Sequence, residues 1–247
     1  MTIELPPRRG RYGIDAPYVP AIFLAVAAVL VVVGVVLLAT GWPSGIGSLV
    51  IALYFAVSAA SYLYTTRSGK FAVWERVLRQ SGVGGRQRVL DMGCGRGAVL
   101  LMAAGLLPEG RAIGLDLWKS SDQSGNRAQT TLDNAAAEGV RDRVEVQTGD
   151  MRSMPFTADA FDTVVSSVAI HNIQSAEGRA QAIDEAVRVL KPGGRLLIAD
   201  IRAVGEYADR LRSRGMEDVE VRGLGWRFWY GSPWVAASLV SARKPAA

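Results

Sequence analysis

The sequence predicts an α/β protein in which a doubly wound, largely parallel sheet follows a hairpin of two membrane-spanning helices. Three observations predict it. From Phe71 onward, β-rich runs and helical patterns alternate, which is the signature of a parallel sheet with helices on both faces. One of those runs, Val89-Leu90-Asp91-Met92, leads directly into Gly93-Cys94-Gly95-Arg96-Gly97, a turn whose glycines permit tight dihedrals and close approach of a ligand to backbone. Ahead of both, no Asp, Glu, Lys or Arg occurs between Asp15 and Arg67.

In chain order, Tyr18 to Ala39 and Ile46 to Tyr64 are apolar runs joined by the turn Gly41-Trp42-Pro43-Ser44-Gly45. Each approaches the ~20 residues that cross a ~30 Å hydrocarbon layer as a helix. A signal peptide would begin earlier and would not be followed by a second apolar run. A buried core helix would carry a polar stripe, and Ala25 to Ala39 has none. The expectation is a membrane anchor over residues 1–66, with spans at about 18–40 and 46–65, ahead of a second domain over 67–247. Arg8, Arg9 and Arg11 precede the first span and Arg67, Lys70, Arg76 and Arg79 follow the second, whereas the connecting turn has no basic residue. The positive-inside rule therefore makes this a two-pass cell-membrane protein with its α/β domain in the cytoplasm. Tyr18, Trp42, Tyr62 and Tyr64 near the span ends agree.

In the second domain, helices are predicted at Phe71 to Gln80, Ala98 to Leu107, Arg127 to Glu138 and Gly178 to Leu190, the last closed by Pro192-Gly193-Gly194. Strands are predicted at Arg88 to Asp91, Ala112 to Leu115, Val144 to Thr148, Thr163 to Ser166 and Arg195 to Ala199. Val219 to Arg222 and Val235 to Ala242 read as a closing antiparallel pair. The chain of 247 residues carries a net charge of +5 without any basic run, which gives no support to nucleic-acid binding. Its single cysteine, Cys94, excludes an intramolecular disulfide and points to a reducing compartment.

Ligands of open parallel sheets lie across the carboxyl ends of the strands, which here are Asp91, Asp116, Asp150, Ser166 and Asp200. Asp116 ends the second strand about 20 residues beyond the glycines, where a ribose is held. Gly93-x-Gly95-x-x-Ala98 also fits a dinucleotide fingerprint, so the later motifs must decide the cofactor. Those are Gly149-Asp150-Met151, Phe161-Asp162-Thr163-Val164-Val165-Ser166-Ser167 and Leu190-Lys191-Pro192-Gly193-Gly194 through Asp200.

Together these motifs resemble the class I S-adenosylmethionine (SAM) methyltransferases, most closely the quinone and small-molecule group, over roughly residues 70 to 245. The resemblance implies a seven-stranded sheet with a C-terminal antiparallel hairpin, and SAM as cofactor. It places Asp91, Gly93, Gly95 and Gly97 at the methionine moiety, with Cys94 packed beside it. Asp116 falls at the ribose hydroxyls and Asp150 and the Met151 backbone at the adenine. Leu117 and Trp118 would cover the purine, and Ser166 completes the cofactor set.

Ser167, His171 and Asn172 follow the fourth strand, where the family places substrate-facing groups. His171 is the sole histidine and is either a proton acceptor, since imidazole titrates near neutral pH, or a turn residue bonded to backbone; Ser167 and Asn172 carry the same ambiguity. An Asn/Asp-Pro-Pro-Tyr motif is missing after the fourth strand, which argues against adenine-amine and glutamine substrates. No His/Cys or acid cluster predicts a metal site. The polar stretch Asp122-Gln123-Ser124-Gly125-Asn126 and the aromatic run Gly225 to Trp234 are candidates for shaping the acceptor pocket, the latter as a membrane-contacting lip or an apolar wall. The expected activity is methyl transfer to a small or lipophilic acceptor. The alternatives are a non-catalytic SAM-binding membrane module and a nucleotide-dependent oxidoreductase. The acceptor and the oligomeric state are not written in the sequence.

Overall fold

The computed structural model describes residues 8–119, 123 and 125–246. Two antiparallel helices, α1 (Tyr18–Ala39) and α2 (Gly45–Tyr64), project from a domain built on a seven-stranded sheet of order β3-β2-β1-β4-β5-β7-β6. The strands are β1 (Arg88–Met92), β2 (Arg111–Asp116), β3 (Val144–Thr148), β4 (Phe161–Ser167), β5 (Leu190–Asp200), β6 (Glu217–Gly223) and β7 (Ser238–Arg243). β3, β2, β1, β4 and β5 run parallel, whereas β7 inserts antiparallel between β5 and β6. The remaining helices are α3 (Lys70–Gln80), α4 (Ala98–Gly105), α5 (Ala128–Ala137), α6 (Ala176–Val189) and α7 (Val204–Ser213).

Alternation along the central strands divides the core into two layers. Val89, Val165, Leu197 and Leu239 pack with Trp74, Val77, Leu78 and the buried face of α4, while Leu90, Met92, Val164, Leu196 and Ile198 pack with α6 and α7. A strand buried on both faces must be apolar nearly throughout, and β1 is buried at every position after Arg88. The polar exception is Asp91, placed where the strand ends and the site begins.

The structure adds an element and moves others. α7 was not anticipated, although Val204, Tyr207, Ala208 and Leu211 have helical spacing and the last three are buried. Pro192-Gly193-Gly194 does not form a loop after α6: Leu190 is already extended and pairs with Phe161, and the register shift between Phe161 and Thr163 absorbs the Pro-Gly-Gly within β5. The last strand begins at Ser238, because Pro233–Val235 forms a 3₁₀ turn.

The passage from α2 to the sheet domain is not a linker. Thr65–Gly69 forms a π-helical turn, so that Gly45–Gln80 is one continuous helix of 36 residues. The β6–β7 connection explains the bulge, because its carbonyls dock there. The Thr65 hydroxyl donates to Trp229 O at 2.6 Å, and a β-carbon on Gly69 would lie 1.9 Å from Arg227 O. Upstream of α1, the chain lies over the sheet domain: Glu138 accepts the Gly10 amide and the Tyr12 hydroxyl, each at 2.8 Å, and Asn134 accepts the Arg11 amide at 2.8 Å.

Candidate active site

A cavity of about 770 Å³ lies across the C-terminal ends of β1, β2 and β4. Its floor is the turn after β1. Gly93, Gly95 and Gly97 all have positive φ, and Gly93 leaves no room for a side chain, since a β-carbon would approach Ala169 Cβ to 2.4 Å. Gly97 itself does not reach the cavity; it is the left-handed residue that starts α4. Cys94 does line it, but its side chain is packed against Gly114, where a β-carbon would meet Sγ at 2.6 Å. Burial drives its thiol well above the ordinary range, which leaves it protonated and a packing residue.

Asp91 is 1% exposed and lines the same cavity. It receives the Leu100 amide, and among the described residues its Oδ1 has no partner. Burial in apolar surroundings, opposed by that amide, pushes its carboxyl up to about 7. A buried carboxylate oxygen facing empty space demands a donor, and a cationic one satisfies it best. Asp116, beside it on β2, accepts the Gly95 amide at 2.8 Å through Oδ2, and the Trp118 amide at 2.6 Å and Asn126 Nδ2 at 3.2 Å through Oδ1. Oδ2 thus keeps acceptor capacity for a hydroxyl.

Leu117, Gly149, Asp150 and Met151 form the next wall. Asp150 is gripped by Arg152 in a bidentate pair, which holds its carboxyl below the usual carboxylate range. Trp118 is absent from the lining; it adopts a left-handed φ of 58° and donates its indole N–H to Thr148. Ser166 also stands apart, fully buried with its hydroxyl donating to Met92 O at 2.8 Å. Ser167 lines the cavity and accepts the Trp74 indole N–H at 2.8 Å.

His171 and Asn172 reach the cavity from a 3₁₀ turn after β4. His171 Nδ1 lies 2.6 Å from Oδ1 of Asp200, a carboxylate with no side-chain exposure at the end of β5. Asp200 also accepts the amides of His171 and Ile201 and, at 3.3 Å, the Tyr207 hydroxyl. The ring is therefore held from its Nδ1 side by a carboxylate that three other donors hold in place. Asp200 was visible in sequence only as a strand end; its pairing with His171 depends on β4 and β5 being neighbours.

The roof joins Gln123 and Tyr230, from the two stretches expected to shape the pocket, to Asp15, Tyr62 and Lys70, which sequence reasoning does not assign to the site. Asp15 receives Lys70 Nζ at 2.8 Å on both oxygens, Gln123 Nε2 at 3.0 Å and the Tyr230 hydroxyl at 3.0 Å, and its backbone carbonyl accepts the Tyr62 hydroxyl at 2.9 Å. All five residues line the cavity. Asp15 and Lys70 flank the charge-free stretch, a pairing that the charge count treats only as topology signals. Within the polar stretch after Asp116, Gln123 and Asn126 do reach the site, whereas Asp122 and Ser124 lie outside the described residues. Among the described residues no group of three or more His, Cys, Asp or Glu side chains is placed to hold a metal.

Residues 90–198 match a protein-family model described as a methyltransferase domain. Over 135 residues the chain is 33% identical to methyltransferase GfsG of Streptomyces halstedii, covering 55% of this chain and 45% of that one. It is 31% identical over 132 residues to the demethylmenaquinone methyltransferase of Symbiobacterium thermophilum, covering 53% and 49%. The match thus spans about half the length of these relatives. Among solved structures, the [4+2]-cyclase SpnF superposes with a TM-score of 0.59 at 20% identity, covering 72% of this chain and 82% of that one. A SAM-dependent methyltransferase from Aquifex aeolicus superposes with a TM-score of 0.55 at 19% identity, covering 69% and 88%. At such identities the structural likeness speaks for the fold, and one fold hosts several reactions.

Proposed function

We propose that this chain, which carries a class I SAM-dependent methyltransferase domain, transfers the methyl group of SAM to a small or lipophilic acceptor at the cytoplasmic face of a membrane. The observation that carries the reading is one cavity lined by Asp91, whose Oδ1 has no partner among the described residues, by Asp116, and by His171 with Asp200 behind it. The residues fit the cofactor: Asp91 would meet its cationic amino group, Asp116 its ribose hydroxyls, and Leu117, Asp150 and Met151 would border its base. When bound, SAM supplies an electrophilic methyl on a sulfonium. What the protein must add is alignment of the acceptor and removal of its proton. In the tautomer that donates Nδ1–H to Asp200, Nε2 of His171 is left as the proton-accepting nitrogen. In this reading it accepts the acceptor's proton as the new bond forms, and Asp200 stabilises the imidazolium that results. Asn172 and Ser167 are assigned to positioning the acceptor.

The membrane assignment rests on exposure. Only 11% of the hydrophobic window of the first long helix and 22% of that of the second is buried, and Val29, Val32 and Leu53 are 62%, 63% and 65% exposed. Leaving each such side chain in water forgoes about 1.5–3 kcal/mol, and many of them together exceed a whole domain's stability of about 5–15 kcal/mol. A bilayer removes that deficit. Residues 1–66 are accordingly assigned as the anchor and 67–247 as the methyltransferase domain, with Arg8 to Ala16 folded back over the site.

The test is calorimetric titration of the purified full chain with SAM, S-adenosylhomocysteine and NAD, followed by measurement of S-adenosylhomocysteine release with lipid extracts as acceptor source. Binding of the two sulfur nucleosides with extract-dependent release is expected. Heat with NAD alone would refute the cofactor, and binding without release from any extract would favour the non-catalytic module. Retention in the membrane pellet after alkaline extraction checks the anchor.

A further inference from the structure

The cavity does not end at the cofactor floor. Its lining also includes Tyr18, Val19 and Phe23 at the foot of α1, Tyr62 near the foot of α2, and Tyr230 and Val235 of the β6–β7 connection. These are the ends of the two apolar helices, so one continuous space links the proton acceptor to the level at which the helices emerge. The connection is fastened there. A β-carbon on Gly231 would stand 2.9 Å from the Phe23 ring and 3.4 Å from Ser58 O, and Trp226 stacks on Tyr64 at 5.3 Å between centroids. Its outer side is apolar and open, with Trp226 55% exposed beneath the Arg227 guanidinium and Trp234 80% exposed. Indole rings and a neighbouring cation are the residue types that settle at a bilayer's headgroup level.

From this continuity we infer that the acceptor is a single-headed membrane amphiphile that enters sideways from the cytoplasmic leaflet, between Tyr18 and Val19 at the start of α1 and Val235, beside the Phe23–Gly231 contact that closes the rest of the seam. Its polar head advances to His171 while its tail remains along Val19 and Phe23. Trp226 and Trp234 seat the rim of this portal in the headgroup layer. The two roles considered for the aromatic run are thus divided: Tyr230 and Val235 form wall, Trp226 and Trp234 form lip. A water-borne acceptor would have no need of an opening whose sides are membrane helices. The inference rests on the methyltransferase and membrane readings above and narrows the acceptor class within them.

The test uses the full chain in phosphatidylcholine nanodiscs loaded with S-adenosylhomocysteine, and as probe a long-chain alkylphenol carrying a diazirine in mid-tail. After illumination, labelled peptides are mapped by mass spectrometry. Labelling is expected in the Tyr18–Phe23 and Tyr230–Val235 peptides. Excess unlabelled long-chain alkylphenol should suppress it about tenfold, and phenol itself should not. Val19→Trp and, independently, Phe23→Ala/Val235→Trp should remove the suppressible labelling and leave S-adenosylhomocysteine affinity unchanged. Labelling spread evenly over lipid-facing positions such as Val32 and Leu53, or suppressed equally by phenol, would overturn the portal while leaving the cofactor reading intact. Failure of the unmodified chain to bind S-adenosylhomocysteine would overturn both.

Discussion

Asp91 makes the proposed cofactor site sensitive to pH in a direction opposite to that of an ordinary salt-bridged carboxylate. Burial raises its carboxyl from 3.8 to about 7. In the free protein the folded state therefore retains a proton up to about pH 7 that the unfolded chain gives up near pH 4. Between those values the folded state binds more protons, so stability falls as pH rises, by about 4 kcal/mol for a shift of roughly three units. Below pH 4 and above pH 7 the contribution is flat. The cofactor's ammonium group reverses the preference, because it requires the carboxylate. At pH 8 about 0.9 of the protein is ionised at this position and at pH 6 about 0.1, so apparent SAM affinity should fall about tenfold, or about 1.4 kcal/mol, over that interval. Asp91→Asn keeps a carbonyl oxygen for the Leu100 amide and removes the charge. It should stabilise the ligand-free protein at pH 8, flatten the melting temperature between pH 5 and 8, and abolish tight SAM binding. Calorimetry across pH 6 to 8 and thermal melts of both proteins provide the readings. A SAM affinity that is level over this range in the unmodified protein, or retained in Asp91→Asn, would refute the reasoning.

Other outcomes follow from the same geometry. Asp200→Asn and His171→Ala should each lower turnover about 10²- to 10⁴-fold while leaving S-adenosylhomocysteine affinity unchanged, as measured by product release and calorimetry; equal turnover would end the base assignment. Asp116→Ala should weaken SAM binding by about tenfold or more, since it removes the ribose partner and also strands the Gly95 and Trp118 amides at about 1–3 kcal/mol each. Lys70→Met leaves Asp15 without its cation beneath a partly buried roof and should destabilise the protein by about 3–5 kcal/mol in denaturant unfolding. The pair Lys70→Met/Asp15→Asn should recover most of that loss. The fragment 67–247 is expected to remain soluble and to bind SAM less tightly than the full chain, because Asp15 and the Tyr12 carbonyl, which together hold Gln123 against the glycine turn, are gone; an insoluble fragment would make residues 1–66 part of the core.

Much of this fold is legible in local signals. The glycine turn, the acids at strand ends and the charge-free stretch are each readable within a few residues, and β1 to β4 fall within one or two positions of their expected bounds, as does the start of α4. What failed was of two kinds. Pro192-Gly193-Gly194 has loop composition but sits inside a strand, since a register shift against β4 tolerates it. Asp200 with His171, and Asp15 with Lys70, are pairs separated in sequence whose meeting depends on which strands are neighbours and on the folding back of Arg8 to Ala16. A carboxylate read alone declares its charge and not its partner. Ser166 illustrates the reverse: a polar residue at a strand end, expected at the cofactor, is spent on the Met92 carbonyl one strand away.

The π-helical turn at Thr65–Gly69 has a mechanical consequence. Since α2 passes into α3 as one continuous helix and the Arg227 and Trp229 carbonyls accept the Thr65 hydroxyl at the seam, the long apolar helix is built directly onto the cavity wall. Anchored in a lipid sheet, such an enzyme holds its chemistry at a fixed height above the hydrocarbon, like a gauge set once. Under the proposed portal, the acceptors it could methylate would be set by the distance from the headgroup level to His171, and a helical residue inserted at Gly69 would reset that distance and the chamber's bearing together.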